Sequence, residues 1–289
     1  LEDFSISRSR SRDKNWGVPV PGDENQVMYV WFDALSNYLN ALGYADEAEN
    51  YNKFWVENLN RVHVIGKGIT RFHCIYWPAM LLSAGIPLPT EIFIHGYVTV
   101  DGQKISKSLG NTVDPVELVG KYGVESVRYY LLREISAYGD GDFSEEKFKQ
   151  RYQSDLANGL GNTFSRVTNM IEKFGQGKFA QGEGMNQYTR DAAALIEGAL
   201  QQFQFDAALF AIMGIVRAID EEIEQTKPWA MAKSEKVSDI QPLLDKWGTM
   251  LLDVALYLRP FMPDTAQKIE RSLRAEHIVK AEPLFPRLT

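Results

Sequence analysis

The pattern of apolar and polar residues changes once along the chain, close to residue 140. Before that point, short aliphatic runs at 27–32, 62–66 and 92–100 alternate with helix-like stretches at 33–43 and 70–84. Apolar runs of this length are typical of strands, and their alternation with helices predicts a parallel sheet with crossover helices. We therefore predict an α/β architecture for the first part of the chain.

The second part, after Asp142, has the pattern of a helical protein. Asp142 and Glu145 fit a capping box that opens the first helix. Apolar residues then recur every three or four positions until Gly175 and Gly177: Phe148, Tyr152, Leu156, Leu160, Phe164, Val167, Ile171 and Phe174. Further helices are predicted at 188–202, 206–225, 240–258 and 262–274. Their short connections predict an antiparallel bundle, so the predicted fold class is α/β followed by all-α.

Composition is that of an ordinary globular protein: 289 residues, 45% apolar and 24% charged, enough for two domains. Because no run of about 18 apolar residues or basic leader occurs, we expect a cytoplasmic protein without a membrane partner. Cys74 is the only cysteine, which excludes an intrachain disulfide and a thiolate-rich zinc site, and no metal site is predicted. The net charge of −7 argues against nonspecific nucleic-acid binding but permits a local basic strip.

A lysine-rich pentapeptide, Lys104-Ile105-Ser106-Lys107-Ser108, follows the predicted strand at 92–100 and a turn at Asp101-Gly102. Two ammonium groups three positions apart in a glycine-flanked loop can stabilise negative charge on a leaving pyrophosphate. The pentapeptide therefore indicates electrostatic catalysis of adenylyl or phosphoryl transfer. The alternative is an ordinary polar surface loop.

Two segments, 29–39 and 66–81, combine aromatic residues with polar groups. On a helix, Phe72, His73, Tyr76 and Trp77 are neighbours at three- and four-residue spacings. One interpretation is a stripe facing the core, with a hydrogen-bonded histidine. Trp31, Ala34 and Tyr38, at a neighbouring strand end, favour instead an apolar ligand pocket that suits a thioether side chain.

The helical part contains a third set of candidate residues. Asn162 and Arg166 lie one helical turn apart and roughly 120° from the apolar stripe, so both are predicted to face solvent. Such a pair can read base edges and stack on an unpaired base, or can be only a solubilising surface. Lys227-Pro228-Trp229 offers a tryptophan as a stacking platform, with burial in the core as the alternative.

The pentapeptide, placed after H-G-Y-V-T-V-D-G and before L-G-N, resembles the KMSKS loop of class I aminoacyl-tRNA synthetases, with Ile105 in place of methionine. Residues 27–39, 63–81 and 92–111 resemble the methionyl-tRNA synthetase group of that family, in the expected order. N-T-F-S-R at 162–166 and K-P-W at 227–229 resemble its anticodon-reading pair. The resemblance thus covers essentially the whole chain.

This resemblance implies three parts: the second half of a Rossmann-type catalytic domain at 1–100, the KMSKS loop and a connecting region at 101–141, and a helical anticodon-binding domain at 142–289. It assigns methionine contacts to Trp31, Ala34, Tyr38, His73 and Trp77, and the edge of the active site to Arg8. It assigns catalysis to Lys104 and Lys107, ATP binding to Lys104, Ser106, Lys107 and Ser108, and recognition of the CAU anticodon to Asn162, Arg166 and Trp229. Two positions depart from the family pattern: Gly68 replaces a common acidic residue, and Leu35 a common proline.

The activity implied is ATP- and Mg²⁺-dependent activation of L-methionine, followed by transfer to tRNA(Met). The family's H-x-G-H motif does not occur, because Lys67 follows His63-Val64-Ile65-Gly66 where a second histidine is needed. We therefore expect the C-terminal part of a larger enzyme, inactive by itself. Two alternatives stay open: a class I synthetase for another apolar amino acid such as leucine or isoleucine, and a noncatalytic tRNA-binding module derived from a synthetase.

Overall fold

The computed structural model describes residues 5–11, 16–100, 102–105, 110–182, 187–233 and 239–288. The chain divides into two compact units, an N-terminal unit of Leu1–His95 and a C-terminal unit of Gly96–Thr289. The first mixes strands with short helices, and the second is dominated by helices. The predicted order, an α/β part followed by a mainly helical part, is confirmed. Among the described residues, no helix is both long and apolar enough to cross a lipid bilayer.

An antiparallel three-stranded sheet opens the N-terminal unit. Its strands are β1 (Ser7–Ser9), β2 (Pro19–Val20) and β3 (Asp23–Met28), in the order β1-β3-β2. The strand predicted at 27–32 was placed wrongly, because β3 ends at Met28 and helix α1 (Val30–Ala34) follows. Periodicity alone does not separate a short apolar strand from a short apolar helix.

A parallel pair of strands forms the second sheet of this unit. Strand β4 (Val62–Gly66) pairs with β5 (Glu91–His95), with Val62 opposite Glu91 and Gly66 opposite His95. The connection between them contains a 3₁₀ turn (Lys67–Ile69), π-helical turns (Phe72–Tyr76) and helix α4 (Trp77–Ala84), followed by an irregular segment at 85–90. The predicted strand–helix–strand crossover is confirmed here.

The single helix predicted at 33–43 is in fact interrupted. Helix α1 stops at Ala34, and α2 (Asn37–Asn40) starts after a turn at Leu35 and Ser36. The Ser36 hydroxyl donates to the Asp33 carbonyl at 2.7 Å, a local bond that competes with a continuous helix. Helix α3 (Glu49–Tyr51) and π-helical turns (Asn52–Val56) complete the unit. Its buried core consists of Leu35, Leu39, Trp55, Trp77, Leu81 and Ile86.

The apolar run at 92–100 also differs from its prediction, because it forms two strands. Strand β6 (Val98–Val100) belongs to a third sheet, where it pairs with β7 (Gln103–Lys104) antiparallel and with β8 (Gly141–Phe143) parallel. Gly96 separates the two strands. A Cβ atom there would lie 1.9 Å from the Gly139 carbonyl oxygen, so only glycine fits.

Two helices that were not predicted lie between β7 and β8: α5 (Pro115–Tyr122) and α6 (Val124–Glu134). The Asp114 carboxylate caps α5 by accepting from the Val116 amide at 2.8 Å. An aspartate followed by proline at the first helical position is a known helix-start signal, so the sequence did contain this information.

The predicted capping box at Asp142 and Glu145 is wrong. Asp142 lies in β8, and its carboxylate accepts from the Gly102 amide and the Thr99 hydroxyl, both at 2.7 Å. Glu145 opens α7 (Glu145–Arg151) but binds Lys121 and Tyr122 instead of the backbone. Both carboxylates are therefore used to join elements that are distant in sequence.

The long helical segment predicted from the apolar period is confirmed. It runs through α7, π-helical turns (Tyr152–Gly161) and α8 (Asn162–Phe174), and ends at Gly175. Its stripe is buried or, at Phe174, partly buried. Successive apolar residues from Phe148 to Phe164 are four apart, more than the 3.6 residues of an α-helical turn. The wider π-helical turns keep these residues on one face.

The remaining predicted helices are also confirmed. They are α9 (Gln187–Gln201), α10 (Phe205–Thr226), α12 (Ile240–Leu258) and α13 (Pro263–Leu273), with the short α11 (Pro228–Met231) between α10 and α12. Helix α10 packs against α9 and α12, and α12 packs against α8 and α13. One large apolar core joins these helices.

Candidate functional site

Four of the five residues predicted to contact methionine lie together in the N-terminal unit. Trp31 comes from α1, Tyr38 from α2, and His73 and Trp77 from the helical connection between β4 and β5. The ring of His73 lies 5.8 Å from those of Trp31 and Tyr38, both edge-on, and the Tyr38 ring lies 5.9 Å from that of Trp77. These rings therefore form one contiguous cluster, in which His73 and Trp77 are buried. We call it the aromatic pocket after its predicted role.

Hydrogen bonds fix the protonation pattern of this pocket. His73 Nδ1 lies 3.1 Å from the Ile69 carbonyl oxygen, which can only accept, so this nitrogen carries the proton. In the tautomer with its proton on Nδ1, Nε2 is the acceptor, and the Tyr38 hydroxyl lies 2.9 Å from it. Tyr38 is consequently the donor, and its oxygen lone pairs stay available to another group.

A second buried histidine belongs to the pocket and was not predicted. The Trp77 indole N–H donates to His63 Nε2 at 3.1 Å, and the His63 ring lies 4.3 Å from that of Tyr38. His63 is in β4, where His63 and Ile65 are buried while Val64 between them is exposed. Alternate side chains of a strand point to opposite faces, so His63 and Ile65 lie on the inner face of β4.

The electrostatics of the pocket favour neutral side chains. Burial, assisted by the nearby His73, lowers the pKa of His63 from 6.5 to about 4. Burial also raises the pKa of the Tyr38 hydroxyl. Both shifts disfavour the charged form, as expected for groups removed from water. Near neutral pH, the pocket thus presents aromatic faces and an uncharged imidazole.

The fifth predicted methionine contact and two residues near the pocket are less enclosed than His73 and Trp77. Ala34 is exposed at the end of α1, whereas the neighbouring Leu35 is buried in the core. Gly68, where the family pattern has an acidic residue, is exposed in the 3₁₀ turn. Phe72, next to His73, stacks on Trp31 with ring centroids 4.3 Å apart and planes inclined by 12°.

Arg8 lies in β1, and its guanidinium packs over the Tyr29 ring at 4.1 Å. It also donates to the Ser5 and Ser7 carbonyl oxygens at 3.0 and 2.9 Å. Tyr29 in turn lies 6.1 Å from Phe72, the residue stacked on Trp31. Arg8 is therefore connected to the aromatic pocket through two intervening rings, which is compatible with a position at its edge.

The lysine-rich pentapeptide follows a tight hairpin in the C-terminal unit. Strands β6 and β7 pair Thr99 with Lys104 and Val100 with Gln103, and Gly102 turns with a φ of +72°. A positive φ at this position is what the predicted glycine turn requires. The Lys104 backbone lies in β7. Its side chain, Asp101, and the predicted residues Ser106, Lys107 and Ser108 lie outside the described residues.

The predicted anticodon residues occupy the helical part of the same unit. Asn162 is exposed, as predicted, but Arg166 is not free in solvent. Its guanidinium forms ion pairs with Asp220 at 2.5 Å and Glu224 at 2.6 Å, both on α10. The predicted solvent-facing pair is therefore correct only for Asn162. Periodicity places a residue on a helix face but does not reveal a neighbouring helix that covers it.

Trp229 is exposed over 42% of its surface, so the alternative of a core tryptophan is wrong. It lies in α11, directly after Lys227, whose φ of +49° separates α11 from α10. Since Glu224 is in the last turns of α10, its ion pair with Arg166 brings α8 close to the chain segment that leads into Trp229.

No group of three or more histidine, cysteine, aspartate or glutamate side chains that could hold a metal ion occurs in the described ranges.

Comparison with known proteins places these features in a family. The model of the family described as tRNA synthetases class I (M) matches residues 1–168. Curated relatives include the methionine–tRNA ligase of Halalkalibacterium halodurans, 39% identical over 317 aligned positions, covering 100% of this chain and 47% of that protein. The methionine–tRNA ligase of Brucella suis is 41% identical over 276 positions, covering 93% and 52%. The chain thus spans about half the length of the curated relatives it matches.

Solved structures agree with this assignment. A crystal structure of Mycobacterium tuberculosis methionyl-tRNA synthetase bound by methionyl-adenylate superposes with a TM-score of 0.85 at 35% identity, covering 99% of this chain and 61% of that one. Its ligand-free form gives a TM-score of 0.82 at 33% identity, covering 100% and 61%. Because the family model matches more than half of the residues, the chain belongs to the class I tRNA synthetases of the (M) type.

Proposed function

We propose that this chain is the part of a methionine–tRNA ligase that carries the methionine pocket, the KMSKS-type loop and the anticodon-reading helices. The intact enzyme activates L-methionine with ATP and transfers it to tRNA(Met). Supporting this proposal are the family match, relatives named as methionine–tRNA ligases, and a structural neighbour bound by methionyl-adenylate. The names of these relatives do not favour a leucine or isoleucine enzyme, or a noncatalytic tRNA-binding module.

The aromatic pocket carries the amino-acid part of the proposal. A thioether is polarisable and packs favourably against ring edges, and the pocket offers Trp31, Tyr38, His73 and Trp77. The deciding observation is the 2.9 Å bond from Tyr38 to His73, because it leaves the tyrosine oxygen as an acceptor only. A polar group is thereby placed in the pocket without any charge. Ala34, although exposed, remains a proposed contact.

Activation requires no side-chain nucleophile. The methionine carboxylate attacks the α-phosphate of ATP, the bond to pyrophosphate breaks, and Lys104 and Lys107 stabilise the departing negative charge. Ser106 and Ser108 add hydrogen-bond donors to the phosphates. Mg²⁺ enters as the counter-ion of ATP. Arg8 borders the active site.

Adenylate formation also needs the phosphate-binding histidines of the H-x-G-H motif. Because the 289 residues contain no such sequence, we propose that this chain binds methionine without forming the adenylate by itself. The catalytic unit has the architecture of the second half of a Rossmann-type domain, as the parallel β4–β5 crossover supports.

Asn162, Arg166 and Trp229 are proposed to read the CAU anticodon. The exposed Trp229 ring supplies a stacking surface, and the exposed Asn162 supplies an amide that can pair with a base edge. Arg166 reaches the same region from α8, with its guanidinium oriented by Asp220 and Glu224.

A titration of this chain with L-methionine tests the pocket. Binding is followed by calorimetry and by the fluorescence of Trp31 and Trp77. We expect L-leucine and L-isoleucine to bind at least about tenfold more weakly, because they cannot match the thioether contacts. Tyr38→Phe should weaken the binding of methionine, because the hydrogen bond to His73 is lost. Tyr257→Phe, in the C-terminal unit, should leave the affinity unchanged. Equal affinity for leucine, or a folded chain that binds no methionine, would overturn the proposal.

A further inference from the structure

His63 occupies the centre of the aromatic pocket. Its ring lies 4.3 Å from that of Tyr38, 6.1 Å from that of His73 and 6.0 Å from that of Trp55. Its Nε2 also accepts the indole proton of Trp77 at 3.1 Å. One side chain thus contacts or faces three of the residues proposed to hold methionine.

The backbone of His63 is more firmly fixed than those of its neighbours. It lies in β4, paired with Ile92 of β5, and is only 8% exposed. Tyr38 comes from a four-residue helix, and His73 from π-helical turns. A residue on a paired strand can therefore serve as the fixed reference against which the helix-borne rings are oriented.

The bond to Trp77 has a defined direction. An indole nitrogen can only donate, so His63 Nε2 must carry the lone pair and Nδ1 the proton. Trp77 is 2% exposed, and its N–H would lack this acceptor if an aliphatic residue replaced His63. A buried donor without a partner is costly, so the indole would turn away toward another acceptor or water.

We infer that His63 is a positioning residue for the amino-acid pocket. It orients the Trp77 indole by accepting its N–H proton, and its ring packs against the Tyr38 ring. This inference rests on the proposed function, because it makes the affinity for methionine depend on a side chain that need not touch it. An aliphatic residue of similar size fills the same space but cannot orient the indole.

The test compares His63→Leu with His63→Gln in the whole chain. The glutamine side chain can place an amide oxygen near the former Nε2 and accept from Trp77, while leucine cannot. We expect His63→Leu to lower the affinity for methionine about tenfold or more, as for loss of a buried hydrogen bond. His63→Gln should retain most of the wild-type affinity. His277→Gln, an exposed histidine of the C-terminal unit, serves as the matched control.

The Trp77 indole resonance in nitrogen-15 spectra provides a readout independent of the ligand. It should shift in His63→Leu and stay close to the wild-type position in His63→Gln. A double-mutant cycle with Trp77→Phe covers the case in which His63→Leu loses stability. In that background, which has no indole proton, His63→Leu and His63→Gln should bind methionine equally.

The outcomes separate the two proposals. If the wild-type chain binds methionine but His63→Leu binds it equally well, the positioning role is wrong and the proposed function stands. If both His63 variants are weakened to the same extent, the residue acts only through its shape and the inference also fails. If the folded wild-type chain does not bind methionine, the proposed function fails and the positioning role fails with it.

Discussion

Two buried imidazoles determine the polarity of the aromatic pocket at the scale of single residues. His63 accepts from Trp77, and His73 accepts from Tyr38 while donating to the Ile69 carbonyl. Burial lowers the pKa of His63 to about 4, so this imidazole presents no charge to an apolar side chain near neutral pH. The pocket combines directional bonds with the soft surfaces that a thioether favours.

The depressed pKa of His63 predicts a pH dependence of folding. Its pKa is about 4 in the folded chain and near 6.5 when unfolded, so protonation favours the unfolded state. Its contribution to stability is complete above about pH 6.5 and is lost as the pH falls toward 4. His73 and Tyr38 are the titratable neighbours, and neither is an opposite charge that could offset this loss.

Urea unfolding followed at the Trp77 indole resonance, from pH 7.5 to 4.5, measures this effect. Relative to His63→Gln, which does not titrate, the wild-type free energy of unfolding should fall by up to about 1.4 kcal/mol per pH unit below pH 6.5. Parallel curves for the two proteins would show that His63 is not kept neutral by the fold.

At the scale of elements, sequence reasoning succeeded where one physical period dominates. The long helices of the C-terminal unit bury a continuous apolar stripe, and all those predicted were found. The run at 92–100 was misread as one strand, because alternation persists through Gly96 although the chain changes sheets there. The capping box failed because Asp142 and Glu145 bind residues remote in sequence, which no local pattern encodes.

The residues of the candidate site were likewise predictable only where a local pattern identifies them. Trp31, Tyr38, His73 and Trp77 were identified by residue type and spacing, together with the family resemblance. His63 was missed because a lone histidine on a short strand has no pattern that distinguishes it from an ordinary core residue. The ion pairs of Arg166 were missed because α10 approaches α8 only in the folded chain.

Gly96 gives a prediction for the sheet that leads into the lysine-rich loop. Gly96→Ala would place Cβ 1.9 Å from the Gly139 carbonyl oxygen and 2.7 Å from the Asp140 amide nitrogen, both backbone atoms that cannot move aside cheaply. We expect the C-terminal unit to lose more than about 2 kcal/mol of stability in urea unfolding.

Gly120→Ala is the matched control for this substitution. Gly120 lies within α5, and a Cβ atom there meets nothing within 4 Å. Alanine should stabilise the helix by about 0.5–1 kcal/mol. Similar small effects at both positions would contradict the close approach of the two backbone segments at Gly96.

At the scale of the whole molecule, the proposed function gives the N-terminal unit an amino-acid pocket and the C-terminal unit an anticodon-binding surface. Both are proposed to have the same specificity, methionine and CAU. The net charge of −7 gives little general attraction to RNA, so selective binding must come from local contacts such as the exposed Trp229 ring. The proposed function therefore requires the methionine pocket and the anticodon-binding surface to agree in specificity.

The most direct test of this agreement measures binding of the chain to a CAU anticodon stem-loop. A GAU stem-loop at the same moderate salt concentration is the comparison. We predict a clear preference for CAU, and a loss of about 1–3 kcal/mol in CAU binding for Trp229→Ala, the energy of one stacked base. Trp16→Ala, which removes an exposed tryptophan of the N-terminal unit, should retain the preference. Equal binding of both stem-loops, or unchanged CAU binding in Trp229→Ala, would contradict the proposed anticodon recognition.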